Sequence, residues 1–165
     1  MQTDKLYLVG FMGAGKSTIA RALGRRLGWR VEDVDERIEA RERRSVAAIF
    51  AANGEPYFRQ LERQVLGDLL PLRHVVVATG GGTFAEADNR ALMLSDGAVA
   101  WLDVPLVQVM KRVPNDGRRP LAADRPAMEQ LFQRRQLAYA QAHVRVDSTR
   151  PVPEVVEQLL EWVGF

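Results

Sequence analysis

Apolar and polar stretches alternate along this chain in a repeating strand-then-helix order. Leu6-Tyr7-Leu8-Val9 is a short apolar run ended at once by a glycine-rich turn, which predicts a buried strand. From Ser17 to Leu27 the apolar residues Ile19, Ala20, Leu23 and Leu27 recur at helical spacing, and Gly28 follows as a C-cap. Val31 to Val34 reads as a second strand, and helical segments over 36–44, 46–52 and 55–70 follow, broken near Ser45 and Asn53-Gly54. His74 to Ala78 is a third strand that runs into glycines. A helix over 87–94, a strand over 99–102 and a helix over 106–113 come next. Residues 115–126, which hold Gly117, Pro120 and Pro126, predict a loop. A helix over 128–142, a strand over 144–146 and a helix over 153–163 complete the pattern.

Strands that alternate with helices predict a parallel sheet covered on both faces, here a three-layer α/β/α arrangement with five strands. No composition break or internal repeat divides the chain, so residues 1–165 read as one domain. Ligands of such sheets gather beyond the carboxyl ends of the strands. That rule groups residues 10–17, 33–35 and 79–83 around one crevice.

Composition narrows the classes. With 47% apolar and 27% charged residues, the chain has the balance of a folded globular protein. It has no run near the ~18–20 apolar residues of a membrane span and no signal-peptide pattern at its start. The lack of cysteine excludes disulfides and thiolate metal sites. These features predict a cytoplasmic protein without a membrane partner. A net charge of +2 argues against general nucleic-acid binding. Lysine occurs only at Lys5, Lys16 and Lys111, so arginine supplies most of the positive charge. Arginine's planar fork suits carboxylates and phosphates, although most of these arginines read as solvated helix faces.

Three places carry chemistry. Gly10-Phe11-Met12-Gly13-Ala14-Gly15-Lys16-Ser17 fits G-x-x-x-x-G-K-[ST] without mismatch, between a strand and a helix. Glycines there let backbone N–H groups turn onto phosphate oxygens at the positive end of a helix. Lys16 would neutralise β- and γ-phosphate charge, packing against nothing essential, and Ser17 would ligate Mg²⁺. Gly13, Ala14, Gly15 and Thr18 complete the nucleotide-binding set. The motif specifies a nucleotide but not a reaction.

Asp33-Val34-Asp35, read as strand, points both carboxylates to one side. One near Mg²⁺ and one near an acceptor hydroxyl would meet the needs of a kinase. A simple helix cap explains either residue equally well. Asp103, ending the fourth strand, is a second candidate for the metal. Finally, Val75 to Thr79 ends in Gly80-Gly81-Gly82, a triplet that permits close approach of an anion.

These motifs, together with Gly54-Glu55, Phe58-Arg59-Gln60-Leu61-Glu62, Arg118-Arg119-Pro120-Leu121, Arg135 to Tyr139 and Val146-Asp147-Ser148, resemble shikimate kinase in order and spacing. That family belongs to the nucleoside-monophosphate-kinase-like P-loop proteins, and the resemblance spans essentially the whole chain. It implies ATP-dependent phosphorylation of the shikimate 3-hydroxyl, in aromatic amino-acid biosynthesis, by a monomer with Mg²⁺. By resemblance, Asp35 binds the acceptor hydroxyls and serves as base, and Asp33 reaches Mg²⁺ through water. Arg59 and Arg135 bind the shikimate carboxylate, Gly80, Gly81 and Gly82 support the ring, and Glu62 orients Arg59. Arg119 is the arginine of a mobile lid over about 115–126, and Arg112 and Arg150 flank the adenine.

Within the chain itself, Arg59 could simply pair with Glu55 or Glu62 at helical spacing, and Arg134 competes with Arg135. The sequence also departs from the family. Arg135-Gln136-Leu137-Ala138-Tyr139 lacks the proline usual in Arg-x-Pro-Leu-Tyr, and Ala122 stands where a second leucine is common in the lid. Three rival functions make different demands on the sequence. A gluconate-kinase-like enzyme would not need both the glycine triplet and the arginine pair. A GTPase-type switch would need Asn-Lys-x-Asp, which is absent. A noncatalytic relative would be expected to have lost Lys16 or Asp35, and both are present.

Overall fold

The computed structural model of the chain describes residues 2–112 and 125–165. Strand β1 (Lys5–Val9) leads through the glycine loop into α1 (Lys16–Leu27) and then β2 (Arg30–Asp33). Helices α2 (Val34–Glu42), α3 (Val46–Asn53) and α4 (Glu55–Leu69) precede β3 (Val75–Ala78). Next come α5 (Ala87–Asp96), β4 (Ala98–Asp103), α6 (Leu106–Arg112), α7 (Arg125–Tyr139), β5 (Val144–Asp147) and α8 (Val152–Val163).

The five strands pair in parallel in the order β2-β3-β1-β4-β5, as expected for a doubly covered sheet. Central β1 registers Leu6 against Val76 on one side and Ala98 on the other. Every residue of β1 and β3 is buried, which requires cover on both faces. The edges are blunted by charge. On β2, Glu32 pairs with Arg30 of the same strand and with Arg37 of α2, at 2.6 and 2.7 Å. On β5, Arg145 pairs with Asp103 of β4. Helix α1 buries Ile19, Ala20 and Leu23, ends at Gly28 as read, and packs against α8.

Two boundaries differ from the sequence reading in ways that matter. Asp33-Val34-Asp35 is not a strand. Asp33 ends β2 and caps α2, its Oδ1 accepting the Glu36 N–H at 3.1 Å, so Asp35 lies in the first helical turn. A favoured capping residue outweighs two-residue alternation here. The segment read as the end of a loop also begins a helix, because Arg125 and Pro126 form the first turn of α7. Proline is tolerated at a helix start, where its missing N–H is not required. Residues 115–124 of the expected lid lie outside the described residues. Where β1 ends, Gly10 has φ 151°, and a Cβ there would sit 2.6 Å from the Leu102 carbonyl oxygen of β4. Only glycine lets the phosphate loop leave the sheet at that point.

Candidate active site

The phosphate loop is held partly by residues that do not line its crevice. Ser148, following β5, donates from Oγ to the Ala14 carbonyl at 2.8 Å. Arg112, ending α6, donates to the carbonyls of Gly13 and Ser148, both at 3.2 Å. Lys16 opens α1 and its ammonium donates to the Gly10 and Phe11 carbonyls at 2.6 and 2.9 Å. It is therefore part of the loop's packing as well as its charge, a correction to the expectation that it packs against nothing essential. Ser17 donates from Oγ to Asp33 Oδ2 at 2.6 Å. Of the two readings the sequence left open for Asp33, the helix cap is the one seen, through Oδ1, while Oδ2 accepts from Ser17. Two hard oxygen donors side by side suit a hard cation such as Mg²⁺. Asp103 is instead engaged by Arg145 at the sheet edge, its Oδ2 accepting from Nε at 2.8 Å.

A cleft of about 600 Å³ lies along the loop, lined by Gly13 to Thr18, Asp33, Asp35, Glu36, Glu39, the start of α3 and Thr79 to Gly81. A second cleft of about 380 Å³ is lined by Met12, Phe50, Phe58, Arg59, Glu62, the glycine triplet, Leu131, Arg134 and Arg135. Asp35, Val46, Gly80 and Gly81 line both. The two spaces therefore meet at Asp35. Its buried Oδ1 lies only 2.8 Å from where a side chain on Gly80 would begin.

Opposite charges line the second cleft in an ordered way. Arg59 of α4 donates to Glu62 at 3.0 Å and to Glu55 at 3.3 Å. Glu62 is fully buried and its other oxygen accepts from the Thr83 hydroxyl at 2.7 Å; that hydroxyl accepts the Gly80 N–H at 3.0 Å. A continuous chain of hydrogen bonds thus joins Arg59 to the turn beside Asp35. Burial works against the charge of Arg59, but the two glutamates outweigh it and hold the guanidinium above its ordinary pKa. Arg135 differs. Burial, aided by the nearby positive charge of Arg59, pushes its guanidinium down, and Tyr139 and the glutamates offset this only in part. Among the described residues no carboxylate lies within ion-pair distance of it; its guanidinium lies over the Phe11 ring, 5.8 Å from the centroid. Guanidinium groups pair bidentately with carboxylates and phosphates, so Arg135 is a candidate contact for an anion.

Of the expected site residues, Gly13 to Thr18, Asp33, Asp35, Arg59, Gly80, Gly81, Gly82 and Arg135 all line these joined clefts. Both Arg134 and Arg135 reach the second cleft, but Arg134 is exposed whereas Arg135 is half-buried. Arg112 contacts the back of the loop. Arg150 is exposed and pairs with Glu154 and Asp147, at 3.5 and 3.9 Å, lining neither cleft. Arg119 lies outside the described residues. The sequence reading gave no role to Thr83 or Ser148, whose hydroxyls act through partners 21 and 134 positions away. No local pattern announces such contacts.

Comparison with known proteins agrees with this geometry. The family model described as shikimate kinase matches residues 12–164. The curated shikimate kinase of Persephonella marina is 41% identical over 94% of this chain and 96% of that protein. The crystal structure of shikimate kinase from Aquifex aeolicus superposes with a TM-score of 0.87 at 37% identity, covering 95% of this chain and 94% of that one. Shikimate kinase from Acinetobacter baumannii, solved in complex with shikimate, gives a TM-score of 0.92 at 31% identity, with 98% of this chain and 93% of that one covered.

Proposed function

The chain belongs to the shikimate kinase family, and from that premise we propose that its two joined clefts hold ATP and shikimate on either side of Asp35. The reaction is transfer of the γ-phosphoryl group of ATP to a shikimate hydroxyl, and the acceptor is proposed to be the 3-hydroxyl. The position of Asp35 carries this assignment, with the phosphate loop on one side and Arg59 and Arg135 on the other.

Phosphoryl transfer asks mainly for alignment and charge neutralisation. Backbone N–H groups of residues 13–18 and the Lys16 ammonium receive the phosphates. Arg59 and Arg135 receive the shikimate carboxylate, turning one hydroxyl toward Asp35. Asp35 aligns that hydroxyl and accepts its proton as the oxygen attacks the γ-phosphorus and ADP leaves with the bridging oxygen. Mg²⁺, held near Ser17 and Asp33, would neutralise phosphate charge when bound. Arg112 and Arg150 are proposed to flank the adenine, and residues 115–124 with Arg119 to close over the phosphates, within a single domain. None of the described helices is long and apolar enough to cross a membrane; a monomer acting in the cytoplasm is the proposed working form.

The test is a coupled ADP-release assay over shikimate, quinate, gluconate and nucleoside monophosphates. Shikimate should be preferred, and Asp35→Asn should lower turnover about 10²-fold or more while ATP affinity stays within about twofold. Preference for another acceptor, or loss of ATP binding with unchanged turnover, would reject the assignment.

A further inference from the structure

Tyr139 closes α7 one helical turn beyond Arg135, so both side chains leave the same helix face. Its ring is buried against Trp101, with centroids 5.9 Å apart. Its hydroxyl donates to the carbonyl of Gly81 at 2.5 Å. Arg135 Nη1 lies 3.0 Å from where a side chain on that same glycine would begin. One helix face thus bonds the carbonyl of this glycine and places a guanidinium beside its open side.

Arg59 is fixed by the carboxylates of Glu62 and Glu55. Arg135 has no such carboxylate among the described residues, so its entry into the cleft depends on how α7 sits against the glycine turn. Gln136, Leu137 and Ala138 continue the helix without a proline to constrain it, and Leu137 is exposed. The hydroxyl of Tyr139 ties this end of α7 to the turn and lies within hydrogen-bonding reach of the Arg135 guanidinium as well. Burial pushes its pKa up, so it stays protonated and able to donate through the neutral range.

We infer that Tyr139 is a positioning residue for acceptor recognition: by fixing α7 to the Gly81 carbonyl, it sets where Arg135 meets the substrate carboxylate. This rests on the function proposed above. The test is a cycle of Tyr139→Phe, which keeps the ring, Arg135→Lys, which keeps the charge, and the double variant, with shikimate and ATP kinetics for each. Tyr139→Phe alone should raise the shikimate KM at least about fivefold, the worth of one net hydrogen bond, and leave the ATP KM within about twofold. In the Arg135→Lys background it should add less than about twofold, because residues acting through one contact are not additive. An unchanged shikimate KM, an equal loss for ATP, full additivity with Arg135→Lys, or failure of Tyr139→Phe to fold by circular dichroism would each overturn the inference. A parent enzyme that ignores shikimate would instead reject the proposed function, and would be seen before any variant is made.

Discussion

The sheet carries a buried charge network at each end, and the two are built on opposite plans. At the amino end, Lys5 is fully buried and donates to the Leu69 and Leu70 carbonyls at 2.6 and 3.3 Å, and pairs with Asp96 at 2.6 Å. Asp96 also accepts from the Tyr7 hydroxyl at 2.6 Å and pairs with Arg73 at 3.0 Å. The chain itself satisfies these charges. At the carboxyl end, Arg59 is fixed by two glutamates, but Arg135 meets no carboxylate among the described residues and Asp35 faces the junction of two clefts. Burying charge is costly unless it is paired. Breaking a closed network therefore strands a buried charge, whereas an incomplete one leaves room for the ligand to complete it.

The comparison predicts that variants at the two ends separate into losses of turnover and losses of stability. Lys16→Met should give the largest effect, lowering turnover about 10²–10³-fold by removing charge from the developing transition state. Since Lys16 also bridges two loop carbonyls, its melting temperature should fall by a few degrees as well. A folded Lys16→Met enzyme with unimpaired turnover would remove the open end from the chemistry. Lys5→Met should do the reverse. Breaking a buried pair costs about 3 kcal/mol, readable by urea unfolding, with turnover unchanged at temperatures where the variant is folded. A Lys5→Met loss confined to turnover would erase the distinction between the ends.

Gly82→Ala sharpens the comparison within the open end. A Cβ at this glycine would lie 2.6 Å from the Arg59 Cζ and closer still to its terminal nitrogens, displacing a side-chain guanidinium rather than backbone. The shikimate KM should rise about tenfold with little change in ATP KM or melting temperature; an equal rise in both KM values would show a general distortion of the site. The smallest effect is the acid limb of stability. Burial pushes the Asp96 carboxyl up, but hydrogen bonds from Lys5 and Tyr7 and the charges of Lys5 and Arg73 outweigh it and hold its pKa below the ordinary value. A depressed folded pKa gives stabilisation that is complete above the unfolded value, about 3.9, and lost as pH falls through the folded one. Melting temperature should thus drop over that acid window in the parent and less steeply in Asp96→Asn. Parallel acid limbs would detach Asp96 from the effect.

By itself the sequence determined the strand–helix alternation, the parallel sheet and the phosphate loop, because each is written in nearby residues. Hydrophobic period fixes which face is buried, and glycine spacing fixes where backbone can turn onto phosphate. It also held the family pattern that singled out Asp35, Arg59 and Arg135. It misplaced the Asp33-Val34-Asp35 boundary because two-residue alternation and a capping aspartate give the same short string, and packing decides between them. Lys5 falls outside the strand read from Leu6 to Val9, yet it is a strand residue, since carbonyls at the end of α4 and Asp96 of α5 satisfy its charge inside the fold. Tertiary structure alone decided that Thr83 completes Glu62, that Ser148 braces Ala14, and that Arg135 reaches farther inside than Arg134. These depend on hydrogen bonds and burial between segments far apart in the chain, and a hydroxyl or a guanidinium has no local signature of the partner that folding will bring to it.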